Sequence, residues 1–346
     1  MIVWIVFLGI VFLCFGNYKV GGESKHNIMI PLGVIFIIFF SAIRFDIGWD
    51  YPSYYYMVFP SLDNEALERM EPLCQLIIKS SYLFGYPPLM FMLFSLFTYG
   101  LVGYTIVRHS SNIYISFLIY LTFFYLSSLS IIRQGLAVSV ILFALPLLYR
   151  KRYLQFGIVS ICSCFIHFSS IITLLFIPIY IFTDKKTFWI ILTIAFCSML
   201  SLNILVERIF PGYYSYIENA DNYKGGNLMK ILMILIVAVV CIGSFKTKDR
   251  RLIKMACIGI IGSLFPFFLG EHIGGRVSMY FFIPLIYFLP QALSLIKIKN
   301  IKCIAIIILN FIFLLNLYVD SQNPIKSSLT PYQTVFSVDV NNPKFK

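Results

Sequence analysis

Runs of apolar residues recur from one end of this 346-residue chain to the other, separated by polar gaps mostly too short to fold alone. A helix needs about 20 apolar residues to cross the hydrocarbon of a bilayer. On that length scale the runs predict spans at roughly 2–16, 28–43, 87–107, 112–130, 134–149, 153–166, 168–182, 187–205, 228–245, 252–270, 277–296 and 303–318. The stretch 153–182 is read as two short segments broken around His167, because a single span would reverse every later loop. Pro178 and the Ser169-Ser170 pair permit a kink there that neighbouring helices re-satisfy. The first run has no Lys or Arg before it and no small-residue cleavage site after it, so it reads as a retained span and not a signal peptide.

The composition agrees: 60% of residues are hydrophobic and 12% charged, with a mean hydropathy of +0.87. The expectation is an all-α polytopic integral membrane protein, a bundle of about twelve transmembrane helices. Residues 1–318 form one transmembrane domain and 319–346 a polar, mobile tail. The net charge of +12 does not mark a nucleic-acid binder, because no basic run is interleaved with aromatics in a soluble segment. It is explained by placement. Alternate gaps hold Lys19, Lys25, Arg108, Arg150, Lys151, Arg152, Lys185, Lys186, Lys246, Lys248, Arg250, Arg251, Lys254, Lys297, Lys299 and Lys302 against few acids, which makes that side cytoplasmic. The outer loops are then about 44–86, 206–227 and 271–276. The cysteines lie inside apolar runs, with Cys74 the exception; they show neither disulfide nor metal spacing and read as core packing.

Charge is scarce, so charge beside an apolar run is informative. Arg44-Phe45-Asp46-Ile47-Gly48-Trp49-Asp50-Tyr51-Pro52 follows directly on the second run. An aromatic patch comes next, then an acidic helical piece at 63–71 and a helix beginning at Pro72 that lies on or dips into the membrane or forms an extra partial span. Arg133 opens the span after Ile131-Ile132, followed by Gln134-Gly135. His167 stands in an otherwise apolar stretch. The loop 207–227, with Tyr213, Tyr214, Tyr216 and Tyr223, offers aromatic faces for sugar rings. Gly270-Glu271-His272-Ile273-Gly274-Gly275-Arg276 leads into a span on which Arg276 and Tyr280 lie one turn apart.

Arg44, Arg133 and Arg276 thus converge on one leaflet. A guanidinium keeps its charge and offers a planar fork of donors suited to phosphate, and at an outer leaflet the natural anion is a lipid phosphate. The structural alternative is that each arginine pairs with a nearby carboxylate, Arg44 with Asp46 or Asp50 and Arg276 with Glu271, or reaches to headgroups. Asp50 and Asp46 are candidate bases for a sugar hydroxyl, against a turn role. His167 is the rival base, against a packing role. The tyrosines are explained in number by an interfacial belt. Nothing suggests a metal site or a nucleotide fold.

The order Arg-Phe-x-x-Gly-x-Asp-Tyr-x-x-Tyr (44–54), Glu71-Pro72, Ile-Arg-Gln-Gly-Leu-Ala (132–137), Phe-x-His-Phe-Ser (165–169) and Arg-x-x-x-Tyr-Phe (276–281) resembles the EpsG/Wzy family of bacterial polysaccharide polymerases. The likeness runs in order from about 28 to 290. It implies a GT-C-like glycosyltransferase of the bacterial inner membrane, with its site at the outer, periplasmic face. Such an enzyme joins undecaprenyl-diphosphate-linked oligosaccharide repeat units into O-antigen or a similar surface glycan, without cofactor or metal. The partners implied are the lipid bilayer, the lipid-linked oligosaccharide, and a chain-length regulator and flippase of the same pathway. Carried over by position, Asp50, His167, Arg133 and Arg276 are the expected catalytic residues, and Arg44, Asp46, Tyr51, Gln134 and Tyr280 the expected substrate-binding ones. A lipid-linked oligosaccharide flippase and an O-antigen ligase-type glycosyltransferase are the alternatives.

Overall fold

The computed structural model describes residues 1–16, 28–58, 67–68, 70–184, 186–200, 227–246, 250–296, 300–323 and 328–337. Readings that fall on 17–27, most of the acidic piece at 59–66, and the tyrosine-bearing loop up to 226 lie outside them. The helices, in chain order, are α1 (Ile2–Phe15), α2 (Met29–Ala42), α3 (Pro72–Leu83), α4 (Pro88–His109), α5 (Ile113–Ser130), α6 (Ile132–Tyr149), α7 (Tyr153–Cys164) and α8 (Phe168–Phe182). They continue with α9 (Phe188–Leu200), α10 (Asn227–Lys246), α11 (Arg250–Leu269), α12 (Gly275–Phe282), α13 (Leu285–Leu295) and α14 (Ile301–Ser321). No strand occurs among the described residues; one isolated bridge pairs Arg44 with Thr334.

Each apolar run, as far as its residues are described, therefore lies in helix. By length and apolarity α4, α5, α6, α11 and α14 can each cross a membrane, and α12 with α13, bent by 57°, forms a sixth such span if counted as one. The helices α1, α2, α7, α8 and α9 are apolar but shorter. α1 shows why the surroundings must be lipid. It buries Trp4, Phe7, Val11, Cys14 and Phe15 while exposing Ile2, Val3, Ile5, Val6 and Leu13. A helix apolar on all sides has no face for water. The chain is a membrane protein.

The chain divides into two compact units, the first made of Met1–Phe143, Ile161–Phe168 and Cys303–Lys346, the second of Ala144–Ser160 and Ser169–Lys302. In the first, α2 packs against α1 and α4, and α3 and α5 pack against α4. The crossings rely on missing side chains. A Cβ on Gly33 would overlap Cys14 and Phe15, and one on Gly103 would overlap Val34. In lipid, helices associate through such close backbone approach because apolar burial alone gains nothing over acyl chains. The core is aromatic: the Trp4 ring meets Phe40, Phe313 and Tyr332 edge-on, and Phe7 stacks on Tyr125.

Several tyrosines expected in an interfacial belt are instead inside this unit. Tyr99, Tyr120 and Tyr125 are buried; the Tyr125 hydroxyl lies 2.8 Å from Ser41 Oγ and that of Tyr99 3.0 Å from Ser128 Oγ. A phenol fits there because serines supply its partner. In the second unit α11 packs against α9, α10, α12 and the end of α8, with Gly262 pressed under Phe281 and Gly243 against Ala292.

The tail departs most from expectation. Residues 328–337, read as mobile, fold back on the turn that follows α2, with Leu329 and Val335 buried. Their polar composition hid this docking, which runs largely through backbone groups: Val335 N donates to Ile43 O at 2.8 Å and Phe45 N to Gln333 O at 3.0 Å.

Candidate functional site

The site is built where two helix ends meet. α7 stops at Cys164, and the chain restarts at Phe168 as a 3₁₀ turn running to Leu175. A break of this kind leaves backbone carbonyls without helical partners, which is costly near hydrocarbon unless something else bonds them. The start of α3 does so. Leu73 N donates to Phe165 O at 3.0 Å and the Cys74 thiol to Ile166 O at 3.0 Å. Pro72 occupies the first turn, where a missing N–H is harmless, and Glu71 is the residue before it. The break leaves His167 beside Glu71.

Arg133 arrives by a second break. Ile131 leaves helical geometry between α5 and α6, which puts Arg133 in the first turn of α6. Gly135 lets that turn press on Ser128. A cation at a helix N-terminus opposes the helix dipole, so a carboxylate beside it is favoured. Glu71 Oε2 lies 2.5 Å from Arg133 Nη1. Its other oxygen, Oε1, lies 2.9 Å from His167 Nδ1 and accepts from Phe168 N at 3.2 Å. Arg133 Nε donates to the Tyr54 hydroxyl at 2.7 Å.

Burial alone would raise the Glu71 carboxyl, but the hydrogen bond from His167 and the charge of Arg133 outweigh it and hold the group down at about 2. Glu71 is therefore ionised and only accepts. It follows that His167 Nδ1 carries the hydrogen, and in the neutral imidazole Nε2 carries the lone pair. Carboxylate, oriented imidazole and guanidinium together make a proton acceptor fixed next to an anion-binding donor set. Side-chain exposures of 17% for His167 and 26% for Arg133 leave both reachable. Among the described residues, Tyr54 and Glu71 engage two of the arginine's five donors.

The other expected residues take different positions. Arg44 is 1% exposed. Its Nη1 donates to Ser41 O at 2.6 Å and to Ser95 Oγ at 2.8 Å, and its guanidinium lies 5.4 Å from the Phe91 ring centroid. These neutral partners stand where pairing with Asp46 or Asp50 was the structural alternative. Tyr51 is buried, stacked on Phe91 with centroids 3.9 Å apart, and Gln134 is buried as well. Asp46 and Asp50 are half-buried on the turn between α2 and a short π-helical segment, Ser53–Val58. Burial raises the Tyr54 phenol, Arg133 lowers it and Asp50 raises it, so Asp50 stands within electrostatic range of Tyr54.

Arg276 and Tyr280 belong to the second unit. Arg276 is half-buried at the start of α12. Tyr280 is fully buried, its hydroxyl 3.2 Å from Ser169 Oγ. Sequence reasoning missed Glu71 and Tyr54 as site residues. The one sequence signal for Glu71 was its place before Pro72; nothing else sets it apart from Glu65 and Glu68. Among the described residues no group of three or more His, Cys, Asp and Glu side chains gathers to hold a metal.

The model of a family described as "EpsG family" matches residues 27–334. That range takes in every residue of the Glu71–Arg133–His167–Tyr54 cluster. No curated protein sequence and no solved structure matches the chain.

Proposed function

The chain belongs to the EpsG family, which points to a membrane-bound polysaccharide polymerase, and from that premise we propose that it joins lipid-diphosphate-linked oligosaccharide repeat units, with undecaprenyl diphosphate as carrier, at the outer face of a bacterial inner membrane. The observation that carries this reading is Glu71 bridging Arg133 and His167. A hydroxyl of the acceptor unit attacks the anomeric carbon of the donor glycan. Its proton passes to His167 Nε2, the new C–O bond forms as the bond to the diphosphate oxygen breaks, and the electron pair leaves with the lipid diphosphate. Ionised Glu71 fixes the histidine tautomer and stabilises the imidazolium that results, as the carboxylate of a hydrolase triad does.

Arg133 binds the leaving diphosphate through its remaining donors, a contact that strengthens as charge develops. Arg276, in the second unit, is a further candidate cation for a lipid phosphate. Arg44 acts through the field of its buried charge. Asp50, next to Tyr54, holds the acceptor sugar and is the second candidate base. Tyr51 and Gln134 shape the site from within the first unit, and about twelve crossings house the polyprenyl chains.

The test is glycan analysis in a cell lacking this gene, complemented with wild type or Arg133→Ala. Surface glycan cut to a single repeat unit, and restored only by wild type, is the expected result. Loss of all surface glycan, with lipid-linked units held on the cytoplasmic side, would point to a flippase.

A further inference from the structure

The turn between α2 and Tyr51 is strained. Asp46 has φ 50° and Gly48 φ 104°, and a Cβ at position 48 would overlap the Leu129 carbonyl. Backbone of this kind persists only where its surroundings over-determine it. Part of the surroundings is the C-terminal segment 328–337. It accepts from Gly48 N at Ser328 O (2.7 Å) and from Phe45 N at Gln333 O (3.0 Å), and it donates from Val335 N to Ile43 O (2.8 Å), so both ends of the turn are bonded to it.

The segment is itself fastened at its start. Asp320, in the last turn of α14, accepts from Ser328 Oγ at 2.8 Å and Ser328 N at 3.3 Å on one oxygen, and from Leu329 N at 2.8 Å on the other. Trp4 Nε1 donates to Leu329 O at 3.1 Å, and Tyr332 stacks on Phe40 with centroids 4.2 Å apart. All of these residues lie in the first unit.

We propose that residues 328–337 are a strap held by Asp320 across the turn at 43–48, and that Asp320 is thereby a positioning residue for the acceptor side of the reaction. The strap's hydrogen bonds described above go to the turn, Trp4 and Asp320 and not to the Glu71–Arg133–His167 cluster. It acts through the turn on Asp50, two residues beyond Gly48, whose carbonyl accepts from Tyr54 N at 3.2 Å. The positioning role rests on the polymerase reading above; the strap itself does not.

The experiment uses full-length protein in membranes. Val335→Cys places a buried thiol in the strap, and its modification by a membrane-impermeant maleimide, corrected for the parent protein, reads docking without any substrate. Asp320→Asn is expected to speed that modification about tenfold, the effect of losing one charge-assisted hydrogen bond. Ser328→Ala, a milder change, should move it in the same direction. In transfer assays Asp320→Asn should raise the acceptor KM about tenfold and leave the donor KM within about twofold, because the diphosphate contacts are not on the strap; a general loss of folding would not separate the two. Unchanged modification of Val335→Cys would overturn the clamp. Faster modification with an unchanged acceptor KM would overturn the positioning role. A wild-type protein that makes no polymer would refute the polymerase reading, and with it the positioning role, while the maleimide arm still decides the strap.

Discussion

Replacing Glu71 by Gln removes the charge that Arg133 and His167 share while keeping the side chain's size. Loss of a transition-state electrostatic contact typically costs about 10²- to 10³-fold in rate, and Glu71→Gln and Arg133→Ala should each fall in that range with folded protein retained. Near-wild-type turnover in either variant would remove the residue from the site. The depressed Glu71 carboxyl also makes a pH prediction. Its ordinary value is 4.5 and its value in the fold about 2. The stability it contributes, on the order of 3 kcal/mol, is fully present above pH 4.5 and is lost as pH falls toward 2. The melting-temperature gap between wild type and Glu71→Gln should therefore be wide at pH 7 and narrow near pH 2. An equal gap at both would contradict it. Arg133 and His167 could be singled out from sequence because each interrupts an apolar run. Glu71 carried only the mark of its place before Pro72; its contacts with two breaks distant in sequence reveal its role.

At the scale of elements, the glycines at helix crossings and at the turn should be the positions least tolerant of added volume. Gly262→Val drives a branched side chain into Phe281, and overpacking of this kind costs about 1–3 kcal/mol. Gly48→Ala adds a forbidden φ to an overlap with backbone and should cost at least as much. Thermal unfolding in detergent reads both, and a melting temperature equal to wild type at either position would rule out the packing described. The apolar periodicity placed the helices well: the run predicted at 87–107 is Pro88–His109, and that at 303–318 is Ile301–Ser321. It could not show the 57° bend between α12 and α13 or the π-helical turn inside α5. These depend on neighbours that no local pattern encodes.

For the whole molecule, the pairing of 333–335 with 43–45 puts the end of α2 and the segment after α14 on one side of the membrane. Cysteines introduced at Trp49 and at Phe336, both exposed, should therefore react with the same impermeant reagent from the same side. Labelling from opposite sides would break that topology. The positive-inside pattern predicts that the loop after α2 lies outside, and a polar tail gave no sign that it would dock there. Turnover of a lipid-linked repeat unit by the purified protein in vesicles addresses the chemistry most directly, with polymer length and released lipid diphosphate followed together for wild type and His167→Ala. Wild type should build a ladder of repeat units with one lipid diphosphate released per bond formed, and His167→Ala should slow both about 10²-fold or more. A ladder that forms equally fast without the imidazole, or units that change sides of the membrane without joining, would contradict the central claim.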